Sequence, residues 1–113
     1  MARKQKKLDR VRVGIVGVGI GAVHARGYSK LPNVEIAALC DLDLDRAQRV
    51  ADQFGVKKLY SDYETMLAAE TLDAVSVCTP NVLHAPVAVA ALQAGCHVLC
   101  EKPLAHSAAA ANE

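Results

Sequence analysis

The sequence predicts an α/β fold of the doubly wound kind, a mostly parallel sheet with helices on both faces. From Val11 onward, short β-branched runs alternate with longer stretches rich in Ala and Leu, the pattern of strand, crossover helix and strand. The short runs are almost continuously apolar, as strands covered on both faces must be. Glycines cluster where the first run gives way to the first helical stretch. At 113 residues, 52% of them apolar, the chain can bury one core but not two full domains.

The elements follow in order. "VRVGIVG" is the first strand, and a helix is expected from about Ile20 to Leu31, closed by Pro32. "VEIAALC" is the second strand. Asp43 can cap the next helix, which carries Leu44, Ala47, Val50, Ala51 and Phe54 at helical spacing and stops at Gly55. A short third strand near Lys58 to Tyr60 leads into Ser61-Asp62-Tyr63-Glu64, an S-x-x-E capping box opening a brief helix. "DAVSVCTP" is the fourth strand. A helix from about His84 to Ala94 follows, with Pro86 in its first turn and Gly95 as its stop. "HVLC" is the fifth strand, and "SAAAANE" begins one more helix.

Charge is unevenly spread. Arg3, Lys4, Lys6, Lys7 and Arg10 crowd a leader over residues 1–10, while the body from Val11 carries eight basic and eleven acidic residues. The leader reads as a disordered, solvated terminus, and no nucleic-acid partner is expected. No apolar run follows it as in a signal peptide, and none is long enough to span a membrane. Cys40, Cys78, Cys96 and Cys100 form no C-x-x-C pair, and His24, His84, His97 and His106 lack ligand spacing. No metal site is expected; the cysteines read as reduced, mostly buried thiols of a cytoplasmic protein.

The chemistry begins at "GIVGVGIGAVHA". A tight turn from strand to helix needs glycine for its backbone angles and for close approach of a phosphate, and the helix N-terminus offers an anion free N–H groups. Read as G-x-G-x-x-G/A, the turn uses Gly17, Gly19 and Ala22, with Ile20 and Gly21 between them. Asp41 closes the second strand 24 residues after Gly17, near the spacing of a ribose-binding carboxylate. Such an acid accepts ribose hydroxyls and repels a 2′-phosphate. No arginine directly follows Asp41, Arg46 lying further on in the helix, so NAD is favoured over NADP. A second reading has Asp41 opening a turn and sharing the capping of the next helix with Asp43. Gly17, Gly19 and Gly21 also spell the G-x-G-x-G of S-adenosylmethionine-dependent methyltransferases, which the glycines alone do not exclude.

In an open α/β sheet, ligands lie across the carboxyl ends of the strands, where strand order reverses. The fourth strand ends in Thr79, Pro80 and Asn81, with His84 close behind, and the fifth in Glu101, Lys102 and Pro103. Here "TPNVLH" followed by "AALQAGCHVLCEKPLA" resembles the Gfo/Idh/MocA oxidoreductases, named for glucose-fructose oxidoreductase, inositol dehydrogenase and relatives. The resemblance runs from Val11 to the end of the chain, and its E-K-P run discriminates far better than any glycine count.

The resemblance implies a nicotinamide-dependent oxidoreductase acting on sugars, cyclitols or related polyols. Gly17, Gly19 and Ala22 match its pyrophosphate turn and Asp41 its ribose acid. Thr79, Pro80, Asn81 and His84 match the loop beside the cofactor, and Glu101, Lys102 and Pro103 its E-K-P signature. Gly21 and His24 arrive one residue earlier than in the common pattern. In the family the lysine lies by the reacting hydroxyl, so Lys102 is the catalytic candidate. An ammonium there can stabilise a developing alkoxide or, with a lowered pKa, share in removing the proton. The family's substrate pocket lies in a second domain for which this chain has no residues. The expectation is an amino-terminal portion that binds NAD without turnover and takes a polyol or sugar only when a second domain is supplied. A free-standing module docking on a partner is the alternative, and an uncovered sheet surface would favour self-association.

Overall fold

The computed structural model describes residues 10–79 and 81–100. Strand β1 (Val11–Val16) leads into helix α1 (Val18–Ser29), then β2 (Val34–Cys40) and α2 (Leu44–Phe54). A two-residue β3 (Leu59–Tyr60) precedes α3 (Tyr63–Ala69), β4 (Ala74–Val77), α4 (Asn81–Gln93) and β5 (His97–Cys100). The five strands form one sheet in the order β3-β2-β1-β4-β5, every neighbouring pair parallel. This is the doubly wound sheet that the apolar runs predict.

Side chains alternate across each strand, so β1 sends Val13 and Ile15 to one face and Val16 to the other. Val13 and Ile15 pack with Val18 and Ala25 of α1 and Ala47, Val50 and Ala51 of α2. Val16 packs with Met66 of α3, Val75 and Val77 of β4, and Val87 and Ala91 of α4. Ile15, Leu39 and Met66 are fully buried, each contributing roughly 2 kcal/mol by leaving water. Between β1 and β2 the register slips at Val13/Gly14, where Ala37 is the extra residue of a bulge.

Several local expectations hold. Asp43 caps α2 by accepting the Arg46 N–H at 3.1 Å, and Gly55 ends it in the left-handed region at φ 72°. Gly95, at φ 88°, follows the end of α4. Others need correction. Helix α1 starts at Val18 rather than Ile20, directly after the turn glycine. The cap of α3 is Asp62, not Ser61: its carboxylate accepts the Thr65 N–H at 3.1 Å and the Thr65 hydroxyl at 2.7 Å. A carboxylate caps at least as well as a hydroxyl, so the box shifts by one residue. Helix α4 opens at Asn81 instead of His84, which moves Pro86 beyond the first turn. Pro86 is exposed, so water can meet the carbonyl whose hydrogen bond it removes. Leu44 lies off the apolar stripe of α2 and is half exposed.

Candidate functional site

The register brings the strand ends level: Val16 pairs with Cys40 and with Val77, and Val77 with Cys100. Gly17, Asp41 and Cys78 therefore emerge along one edge of the sheet. Strand order reverses between β1 and β4, so the crevice expected of a doubly wound sheet opens beside Gly17 and Cys78.

Gly17 is at φ 91°, and a Cβ there would lie 2.6 Å from the Cys78 carbonyl oxygen and 3.0 Å from the Thr79 nitrogen. Both its backbone angle and its contact with the β4 exit exclude a side chain. Its N–H donates to the Cys40 carbonyl at 2.8 Å, and its own carbonyl accepts the Gly21 N–H at 3.1 Å. The turn is thus tied to β2 and to α1 at once. The third position of such a pattern, read at Ala22, is where the helix packs closely on the sheet, and the tightest approach here is at Gly21. A Cβ on Gly21 would stand 2.6 Å from Ile15 Cγ2, whereas Ala22 is half-buried. The earlier start of α1 rotates that role onto Gly21.

Gly17 has no side chain with which to cap α1, and Asp41 supplies one from across the sheet. Its Oδ2 accepts the Val18 N–H at 2.9 Å, and its Oδ1 accepts the Asp43 N–H at 2.8 Å. Burial opposes a charge on Asp41, but these two N–H groups and the Arg46 guanidinium outweigh it and hold the carboxyl below its ordinary value. Arg46 Nε lies 3.3 Å from Oδ2, and its terminal nitrogen Nη2 lies 3.1 Å and 3.0 Å from the two oxygens. The other terminal nitrogen, Nη1, lies 3.5 Å from where a Cβ on Gly19 would stand. Sequence spacing set Arg46 aside as too distant. One turn of α2 brings it back over Asp41, a contact that an i, i+5 spacing does not announce.

Beneath the turn, His24 Nδ1 and Cys78 Sγ are 3.6 Å apart, and the His24 ring meets Tyr28 edge-on. The Tyr28 hydroxyl and the wholly buried Ser76 Oγ are 2.5 Å apart, joining α1 to β4. The Cys40, Cys78 and Cys96 side chains are buried and in no disulfide. Burial, then the nearby Asp62 and Asp41 carboxylates, push the Cys40 thiol up to about 12, so it stays uncharged. Leu42, not singled out by the sequence, is 82% exposed beside Asp41. Exposure of a large apolar side chain next to a buried acid is visible only once folded.

Of the remaining expected residues, Ile20 lies in the first turn of α1, Thr79 follows β4, and Asn81 and His84 lie in the first turn of α4. Pro80, Glu101 and Lys102 lie outside the described residues. Among the described residues no group of three or more His, Cys, Asp or Glu gathers as metal ligands, and no helix is long and apolar enough to cross a membrane.

A glycine turn at φ > 0, a helix N-terminus behind it and a buried acid at the end of β2 are the parts of a nucleotide-binding α/β domain. Comparison with known proteins carries this to a family. Residues 11–113 match the Gfo/Idh/MocA model, described as an oxidoreductase family with an NAD-binding Rossmann fold, and the chain belongs to that family. It is 43% identical over 105 residues to D-glucoside 3-dehydrogenase of Escherichia coli K12, covering 91% of this chain and 30% of that one. It is 45% identical over 96 residues to the D-xylose 1-dehydrogenase (NADP(+)) 2 of Haloferax volcanii, covering 84% and 30%. Among solved structures, scyllo-inositol dehydrogenase of Lactobacillus casei with bound NAD(H) and scyllo-inositol superposes with a TM-score of 0.78 at 29% identity, covering 84% of this chain and 28% of that one. The chain therefore spans about 30% of the length of the curated relatives it matches. The methyl-transfer reading finds no support in this family.

Proposed function

We propose that this chain forms the cofactor half of an oxidoreductase that moves a hydride between NAD and a sugar, cyclitol or related polyol. The observation that carries the proposal is the levelling of Gly17, Asp41 and the β4 exit along one edge, with Asp41 bonded to the first N–H of α1. The first N–H groups of a helix have no intrahelical acceptor. Here Asp41 takes that of Val18 and the Gly17 carbonyl that of Gly21, which leaves Gly19 and Ile20 to meet the pyrophosphate. Gly21 lets α1 approach the sheet closely enough for that contact, and Ala22 continues the same turn. Asp41 receives the adenosine ribose, and Leu42 offers the adenine an apolar face.

Thr79, Asn81 and His84, which follow β4 beyond the reversal of strand order, would serve the nicotinamide side, and Pro80 stands between Thr79 and Asn81 in sequence. Glu101 and Lys102 directly follow β5 in sequence. NAD, once bound, accepts or donates the hydride. Lys102 would hold the alcohol proton or stabilise the alkoxide, and Glu101 would orient Lys102. The sugar- and inositol-acting relatives support the substrate class, which a second domain would select.

Calorimetry on the purified chain tests this reading. NAD should bind more tightly than NADP, and Asp41→Ala should narrow the gap, while the chain alone should oxidise no polyol. Tighter binding of NADP than of NAD would overturn the ribose assignment of Asp41. NADH production by the isolated chain would overturn the need for a second domain.

A further inference from the structure

Asp41 is saturated. A carboxylate offers about four lone-pair sites, and Asp41 already receives the Val18 and Asp43 N–H groups and three contacts from Arg46. A ribose diol cannot add two more donors unless one of the present ones leaves. The two backbone donors are built into the turn before α1 and the turn before α2, so releasing them means undoing local structure. Arg46 is the exchangeable partner, its side chain 47% exposed against 5% for Asp41.

The position of Arg46 points the same way. It lies in the first turn of α2, where the helix dipole disfavours a cation. Its backbone N–H is held by Asp43 whatever the side chain does. The side chain is therefore not there for the helix. It spans from Asp41 to the space above Gly19, that is, from the ribose acid to the pyrophosphate turn.

We propose that Arg46 is a specificity-determining residue of the adenosine end, a guanidinium that covers Asp41 and must be displaced by the ribose diol of NAD. This rests on the assignment of Asp41 to the ribose. The exchange replaces charge-assisted bonds from Arg46 by bonds from neutral hydroxyls, so covering Asp41 weakens NAD binding. A 2′-phosphate, in contrast, meets a guanidinium already in place, with the acid beneath it neutralised. Arg46 thus narrows a preference that a bare Asp41 would make wide.

The test is calorimetric titration of NAD, NADP and nicotinamide mononucleotide into the unmodified chain, Arg46→Ala and Arg46→Gln at one salt concentration. Removing the guanidinium should tighten NAD by ~tenfold and weaken NADP several-fold, given the difference between charge-assisted and neutral hydrogen bonds. Arg46→Gln, which keeps a neutral donor, should fall between. Nicotinamide mononucleotide carries a phosphate but no adenosine ribose, so losing the guanidinium should not tighten it. NAD affinity unchanged or weakened in both variants overturns the inference while leaving the ribose assignment standing. A parallel tightening of the mononucleotide also overturns it, because the effect would then not depend on the adenosine ribose. Failure of every protein to bind NAD overturns the inference together with the reading beneath it.

Discussion

The two edges of the sheet use the same kinds of charged residue for opposite purposes. At the carboxyl edge, Asp41 is buried, and two of its partners are backbone N–H groups of the turns it organises. At the amino edge, Arg12 reaches Glu35 at 3.2 Å, Glu70 at 3.2 Å and the Thr71 carbonyl at 2.7 Å, and Arg10 adds a further pair to Glu35. Those groups, Glu70 apart, are a third or more exposed. A desolvated carboxylate bonded to backbone fixes geometry, while contacts made by half-exposed arginine side chains tie neighbouring segments together at little gain. A cavity of about 590 Å³ also opens at the amino edge, lined in part by Arg12, Glu35, Phe54, Lys57 and Lys58. That hollow and the glycine turn at the N-terminus of α1 thus lie at opposite edges, and the second is what suits a dinucleotide.

Substitutions can break this contrast, and the largest effect should come from Gly17→Ala. Adding a Cβ at φ 91°, 2.6 Å from the Cys78 carbonyl oxygen, should cost about 3 kcal/mol in urea unfolding and abolish NAD binding. Asp41→Ala comes next. It leaves the Val18 and Asp43 N–H groups without their acceptor and should cost about 2 kcal/mol, changing little with added salt. The same acid should be visible in the pH dependence. Because its folded pKa is depressed, its contribution is present above the ordinary carboxylate value and lost as pH falls through the folded one. The stability of the unmodified chain should therefore drop more steeply on acidification than that of Asp41→Asn. Equal slopes would mean that Asp41 is not charged as the geometry requires.

The amino edge should respond more weakly and with salt. Arg12→Ala should cost about 1 kcal/mol at low ionic strength and clearly less at high, while Arg10→Ala should stay within about 0.5 kcal/mol. If Arg12→Ala proved as costly and as salt-insensitive as Asp41→Ala, the distinction between the two edges would fail.

Much of this was legible before folding. Parallel strands follow from apolar runs separated by crossover helices, and Asp43, Gly55 and Gly95 mark helix ends because capping is local chemistry. Even the near misses are local: Asp62 displaces Ser61 as a cap by one residue, and Gly21 takes the packing place read at Ala22 because α1 starts at Val18. The placing of an acid at the end of β2 was equally legible from strand length and spacing.

What Asp41 touches was not legible. Residue types and periodicity determined the layers, the strand order's likeness to a doubly wound sheet, and the glycine turn at its carboxyl edge. Only the tertiary structure decided that Asp41 caps a helix starting 23 residues earlier and that Arg46 folds back onto it. The physical reason is that such bonds depend on the register of β1 against β2 and on the rotation of α2 about its axis. Both are set by packing across the whole sheet.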